Sequence, residues 1–382
     1  MDTGCWPHDS HDCPLAHSFT HALTQHSISS LTHSLFQLSH SPLTPLYYIM
    51  SALSPVVSIK DSCHFVNATA SHVHIDDEAV QRVASEWSAS NISTLKQSIT
   101  WDADNWHYCA DVESLGPLTC QYIFVMDSLN FCFWPTEGFE YEHLALGLKA
   151  VLEQDATAFN ADKLVSLTVD TLRGWFPGWD LPNADERVLR LRELGQALLD
   201  DFDGLAENLV AKAQRSAPKL VQLIIQYLPG FRDTSIYRGR LIHFYKRAQI
   251  LVGDIWAAYG IREKNIKGDD KSQSIYQFHD MQALTMFADY RVPQILRNLG
   301  IFVYSDQLAS DIDAKKEIPF GSDEEIEIRA CTIVAVEMLQ KALCQNGVTD
   351  VIEIEIDWLL WQQGEKIKDE IAPHHRTLTI YY

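Results

Sequence analysis

The chain has 382 residues and a mass of 43.4 kDa, enough for two or three ordinary domains or one large one. Its composition, 46% hydrophobic and 10% aromatic with ten Trp, excludes a wholly disordered chain. Thirty basic against 51 acidic residues give a formal charge of -21, which repels polyanions and argues against a duplex DNA or RNA footprint. A local basic pocket for a small phosphate remains compatible with that balance.

The first 49 residues contain no Lys or Arg, hold seven of the sixteen His, and are rich in Ser and Thr. Weak apolar periodicity predicts a disordered extension over 1–49, with Met50 opening the segment of conventional composition. Its His positions, 8, 11, 17, 21, 26, 33 and 40, do not settle into metal-ligand spacing, and no Arg is present to make a mitochondrial transit peptide. Eight Cys are scattered without a C-x-x-C pair, so free thiols in a reducing compartment are expected. No apolar run reaches membrane-spanning length. The sequons at Asn67 and Asn91 are read as accidental, and the expected location is cytoplasmic, with the nucleus as a second compartment.

From residue 75 onward apolar residues recur at three- and four-residue steps, which predicts a mainly α fold. Helices are expected over 77–88, 140–155, 160–172, 217–227, 241–258, 281–299 and 323–345. A longer amphipathic stripe covers 186–215 through Val188, Leu191, Leu194, Leu198, Phe202, Leu205 and Leu209. Tyr122 to Met126 and Phe131 to Trp134, around Asp127-Ser-Leu-Asn130, read as a small β-hairpin. Residues 260–279 read as a polar surface loop. Residues 50–382 form the expected folded unit, with helical lobes at about 50–215 and 216–382.

Charges inside apolar helices are the chemical signal. Lys246, Arg247 and Asp254 interrupt Phe244 to Trp256, and Asp289 and Arg291 interrupt Thr285 to Leu296. Such a set makes either a structural ion-pair network or a phosphate-binding active site. Glu327 and Arg329 are candidates for the same pocket. Asp323-Glu324-Glu325 reads as a helix N-terminus, and His374-His375 and His72-Val-His74 as filler. P-loop, Rossmann, zincin and nucleophile-elbow motifs are absent, and no metal or other cofactor is expected.

Several longer motifs carry a resemblance: Phe231-Arg-Asp233, Phe244-Tyr-Lys-Arg-Ala-Gln249, Met286-Phe-Ala-Asp-Tyr-Arg-Val-Pro-Gln294, Glu325-Ile-Glu-Ile-Arg-Ala330, Asn130-Phe-Cys-Phe-Trp134 and His375-Arg-Thr. In matching order over about 50–382, they resemble the queuosine salvage proteins, N-glycosylases of queuosine 5'-phosphate that release queuine for tRNA modification. The resemblance implies a helical architecture similar to DNA glycosylases of the helix-hairpin-helix type. There a Lys-bearing helix precedes a catalytic Asp, and Lys246 and Asp289 stand in those places at a longer spacing.

On that reading Asp289 is the catalytic carboxylate. It stabilises an oxocarbenium-like ribose electrostatically, captures it covalently, or orients a water for attack at C1'. Lys246, Arg247 and Arg291 are expected to cradle the 5'-phosphate. Phe65, Phe131, Trp134 and Tyr290 are expected to stack on the base, with His64 and Asn130 beside them. Queuine is a 7-deazaguanine, so leaving-group help must come at its pyrimidine edge, where Asp127 or Asp280 is the candidate. The expected partners are a small nucleotide and its free base, not duplex nucleic acid or a membrane. Two competing readings are a helical nucleotide-binding or adaptor protein without catalysis and a nucleic-acid base glycosylase, which the charge of -21 argues against.

Overall fold

The computed structural model describes residues 54–90, 101–102, 104–260 and 274–382. The expected disordered extension over 1–49 lies outside the described residues, as does most of the expected loop over 260–279. Within them the fold is mainly α, with fourteen α-helices and two small antiparallel sheets. No helix among the described residues is long and apolar enough to cross a membrane.

Helix α1 (Pro55–Thr69) opens with Pro in its first turn, where a missing N–H costs nothing. Strand β1 (Val73–Ile75) leads into α2 (Asp77–Ala89), whose N-cap Asp76 accepts a hydrogen bond from the Ala79 amide. Helix α3 (Pro117–Leu129) is capped from outside, because the Asp111 carboxylate accepts the Leu118 and Thr119 amides. A Cβ at Gly116 would lie 2.6 Å from the Asp111 Oδ2, so only glycine admits that cap.

This helix stands where the sequence predicts a hairpin. Every residue from Thr119 to Leu129 is buried, so the apolar run has no polar face to betray a helical period. A helix buried all round and a buried strand look alike in such a run. The hairpin lies elsewhere, at Thr234–Tyr237 and Arg240–His243.

Helix α4 (Tyr141–Gln154) starts at a reciprocal cap between Glu140 and His143. The expected 160–172 helix divides into α5 (Ala161–Val165) and α6 (Val169–Gly174), the latter capped by Thr168. The long stripe divides as well, into α7 (Ala184–Asp201) and α8 (Ala206–Lys212), because Asp203 and Gly204 take positive φ angles of 53° and 79°. Helix α9 (Ala217–Tyr227) follows, then the hairpin of β2 (Thr234–Tyr237) and β3 (Arg240–His243).

The chain next enters α10 (Lys246–Ile255), which continues as a π-helical turn at Trp256–Gly260. Tyr245, at φ 49°, turns the chain from strand to helix, so the expected 241–258 helix is a strand at its start. The expected 281–299 helix is likewise shorter: α11 (Arg291–Asn298) begins only after a 3-10 turn at Met281–Ala283 and an irregular segment. Strand β4 (Phe302–Tyr304) pairs with β1, placing Val73 opposite Tyr304. Helices α12 (Asp306–Asp313), α13 (Asp323–Gln345) and α14 (Glu353–Ile367) complete the fold. Helices α1, α12 and α14 and the β1–β4 pair have no counterpart among the sequence expectations.

Helix α13 is the central strut, packing on α1, α2 and α14. Helix α10 packs on α3 and α9, and α14 packs on α11. These contacts bring α3, α10, the segment before α11, and α14 around one cavity.

Candidate active site

The cavity has a volume of about 440 Å³, within the range of small-molecule sites. One face of α10 forms a wall through Lys246, Ile250, Asp254 and Ala257, spaced four, four and three residues apart as one helical stripe. Helix α14 supplies a second stripe, Asp357, Trp361 and Glu365, with Trp358 beside it. Phe287, Asp289 and Tyr290 enter from the segment before α11, and Asn130 and Phe133 from the end of α3. Trp101, Trp106, His107 and Tyr141 supply an aromatic side. His107 is neutral, because burial lowers it to about 4, and its ring stacks 4.4 Å from that of Trp101.

Asp289 is anchored by the start of α11. Its Oδ1 accepts the backbone amides of Arg291 and Val292, each at 3.0 Å, so the carboxylate complements the helix N-terminus. Its Oδ2 makes no hydrogen bond among the described residues and is left for the cavity. Burial raises the Asp289 carboxyl, and the Lys246 ammonium is the strongest influence against that rise. Close approach of this segment to α10 depends on Gly253, where a Cβ would meet the Phe287 ring at 2.8 Å.

Lys246 is only 5% exposed, yet no carboxylate among the described residues lies within the 4.0 Å of an ion pair. Burial lowers its ammonium, while Asp289 and then Asp127 support the charge. A buried cation facing open space rather than a partner is costly, unless a ligand anion completes it. Asp357 Oδ1 accepts the Phe287 amide at 3.1 Å, and burial with the neighbouring Asp289 charge pushes its carboxyl well up. Asp254 is pushed well up by burial and then by the charge of Asp127.

Of the residues singled out from sequence, Asp289, Lys246, Asn130 and Tyr290 lie on the cavity wall. Asp127 is fully buried behind it, its Oδ1 accepting from the Asn130 amide at 3.2 Å. The expected cationic cradle is not assembled from three free cations. Arg247 donates to the carbonyls of Asp127, Ser128 and Gly230, closing the C-terminal end of α3. Arg291 is buried and not on the wall, with Nε 2.5 Å from Glu365 and Nη1 donating to Gln294.

The remaining expected contacts are outside the cavity wall. Phe131 packs against Arg187 and Arg247, whose guanidinium carbons lie 4.4 and 5.1 Å from its ring centre. Trp134 donates its indole N–H to the Thr377 carbonyl at 3.1 Å. His64 pairs with Glu337 at 2.7 Å, and Phe65 lies under Arg240 at 4.6 Å. Asp280 accepts from the Ser216 hydroxyl and the Ala217 amide, both at 2.7 Å, and so caps α9. Glu327 and Arg329 are structural too: Glu327 accepts the amides of Ser71, His72 and Val73, and Arg329 binds Asp233.

Sequence reasoning passed over Asp357, Trp358, Trp361 and Glu365, because helix α14 itself went unrecognised. The available signal was Asp357 among Ile354, Ile356 and Leu360, a carboxylate on an apolar face.

A family model described as "Queuosine salvage protein" matches residues 110–382. A Dictyostelium discoideum protein named queuosine 5'-phosphate N-glycosylase/hydrolase is 42% identical over 86% of this chain and 100% of its own length. A Sphaerobacter thermophilus protein of the same name is 38% identical over 82% of this chain and 94% of its own. The mouse protein of that name is 31% identical over 86% and 100% respectively.

Proposed function

Because the chain belongs to the queuosine salvage protein family, we propose that it hydrolyses the N-glycosidic bond of queuosine 5'-phosphate and releases queuine. The carrying observation is Asp289, held by two helix amides with one oxygen left for an aromatic cavity and an unpaired ammonium close by.

Breaking the C1'–N bond spreads positive charge over the ribose ring. A fixed carboxylate at C1' stabilises that charge without reorganising, which is where preorganised electrostatics gains most. Asp289 meets this need, because its α11 amides fix the geometry before substrate arrives. Water then completes the hydrolysis at C1', either directly or after covalent capture by Asp289. Lys246 opposes the rise that burial imposes on the Asp289 carboxyl and is the wall's buried cation for the 5'-phosphate. Tyr290, Trp358 and Trp361 offer faces for the base.

The wall carries eight carboxylates and two ammonium groups, which suits one small nucleotide and disfavours a duplex polyanion. Buried thiols at Cys63, Cys120, Cys132 and Cys331 fit a reducing compartment, the cytoplasm or nucleus.

The test is incubation with queuosine 5'-monophosphate and, separately, the unphosphorylated nucleoside, following free queuine by chromatography and mass. Release from the monophosphate, abolished in a folded Asp289→Asn variant that still binds substrate, is expected. Full activity of that variant removes Asp289 from the chemistry, and no release by the folded wild type returns the binding-protein reading.

A further inference from the structure

Asp127 and Asp254 form an arrangement that the chemistry at C1' does not use. Each has a buried Oδ2 with no hydrogen-bond partner, and the Trp101 Nε1 beside the cavity is unpartnered as well. Asp254 is 95% buried on the cavity wall, and Asp127 is fully buried behind it. They sit on α10 and α3, which pack against each other. Asp127 is the charge that acts most strongly on Asp254, so in so dry a site the two cannot both stay ionised, and one proton held by the pair relieves both.

We infer that Asp127 and Asp254 hold one proton between them and that Asp254 delivers it to the pyrimidine edge of the departing base. The inference rests on the N-glycosylase reading above and assigns its missing acid. The leaving base is a 7-deazaguanine with no N7 to protonate, so negative charge from the breaking bond must be met elsewhere on the ring. Asp254 follows Lys246 by two turns of α10, about 12 Å along the axis. With C1' held at the Lys246 and Asp289 end, that distance places Asp254 at the far edge of the base rather than at its sugar.

The proton balance closes. The C1'–N9 bond breaks with its electron pair leaving on the base, and the proton passes from Asp254 to a ring nitrogen or the lactam oxygen. One water is consumed: its hydroxide ends on C1', and its other proton restores the Asp127–Asp254 pair. No oxidant, metal or second substrate is needed.

The surroundings agree. The groups acting on Asp254 are Lys246 on its own helix, Asp127 from α3 and Asp357 from α14, with the Trp101 indole beside it. Tyr122 and Tyr141, from α3 and α4, feel both carboxylates and are themselves held neutral by burial. Burial raises Asp127 to about 7, against the pull of Asn130, Lys246 and Arg247, so a proton is available near neutral pH.

The experiment compares two leaving groups on the full-length protein, queuosine 5'-monophosphate and p-nitrophenyl ribofuranoside 5'-phosphate, whose nitrophenolate departs without a proton. Asp254→Asn is expected to lower kcat on the queuine nucleotide about 100-fold, while kcat on the nitrophenyl substrate falls only a few-fold. The wild-type fall in kcat at high pH is expected to be lost in the same variant. Asp127→Asn, the second variant, is expected to shift that limb while its own loss of kcat remains larger on the queuine nucleotide than on the nitrophenyl substrate. Equal losses on both substrates, or an unchanged high-pH limb in Asp254→Asn, overturn the proposal. Failure of the underlying reading is distinguishable, because then the folded wild type cleaves neither substrate and Asp289→Asn changes nothing.

Discussion

Arg329 grips Asp233 with two hydrogen bonds, 2.9 Å from Nη1 to Oδ1 and 2.6 Å from Nη2 to Oδ2, and both residues are buried. The same Oδ2 accepts the backbone amide of Lys246 at 3.1 Å, so the pair fixes the start of α10 and with it the cavity's buried cation. The guanidinium is further held between the rings of Phe244 and Tyr382, at 4.0 and 4.4 Å.

Breaking such a pair leaves one uncompensated charge in a dry interior. Arg329→Met is expected to cost about 3–5 kcal/mol in denaturant unfolding. Arg329→Lys is expected to restore little, because an ammonium cannot make the two parallel bonds. Asp233→Asn combined with Arg329→Met is expected to cost less than the Arg329→Met change alone. A double variant whose losses simply add would show the two residues to be uncoupled.

Asp280 provides the contrasting case. It accepts from Ser216 and Ala217 at the start of α9 and is not part of the cavity wall. Asp280→Ala is expected to destabilise the fold by about 1 kcal/mol, the usual cost of a lost helix cap. KM and kcat for queuosine 5'-phosphate should stay within twofold of the wild type, measured by steady-state queuine release. A tenfold rise in KM at unchanged stability would put Asp280 back at the base.

What the sequence shows of this site follows from burial. Lys246 and Asp289 stand out because a charge on an apolar stretch breaks a visible pattern, and α13 announces its start through Ser322 and three acids. Arg247 breaks the pattern equally, yet serves the carbonyls at the end of α3, and no local signal separates these two uses of a buried cation. Helix α3 is hidden for the opposite reason, since a helix apolar on all sides has no period. The aromatic wall depends on α14 reaching back across more than 200 residues of chain to face Trp101 and Tyr141, a long-range pairing that one sequence does not encode locally.

Lys246 should separate phosphate binding from chemistry. Its ammonium lowers the Asp289 carboxyl against the upward pull of burial, so removing it leaves Asp289 protonated to a higher pH. Lys246→Met is expected to move the acid limb of the kcat profile toward higher pH. It should also raise KM for the monophosphate at least tenfold, with little effect on binding of free queuine. An acid limb at the wild-type position would mean that Lys246 does not act on Asp289.

The Asp127–Asp254 pair makes a prediction about stability whose sign is opposite to that of an ordinary salt-bridged acid. Burial raises Asp127 to about 7 from an ordinary value of 3.8, so the folded state keeps a proton that the unfolded chain has already released. Between those two values the unfolded state binds fewer protons, and folding stability falls as pH rises. Asp127→Asn removes this penalty while keeping the shape of the side chain. The variant is therefore expected to gain stability relative to the wild type at pH 8 and to gain little at pH 4, read from denaturant midpoints at both values. The amide oxygen that the substitution leaves in place can still accept from Asn130, so the difference between the two pH values isolates the proton. An equal change at pH 4 and pH 8 would show that Asp127 titrates as an exposed carboxylate and holds no proton in the folded protein.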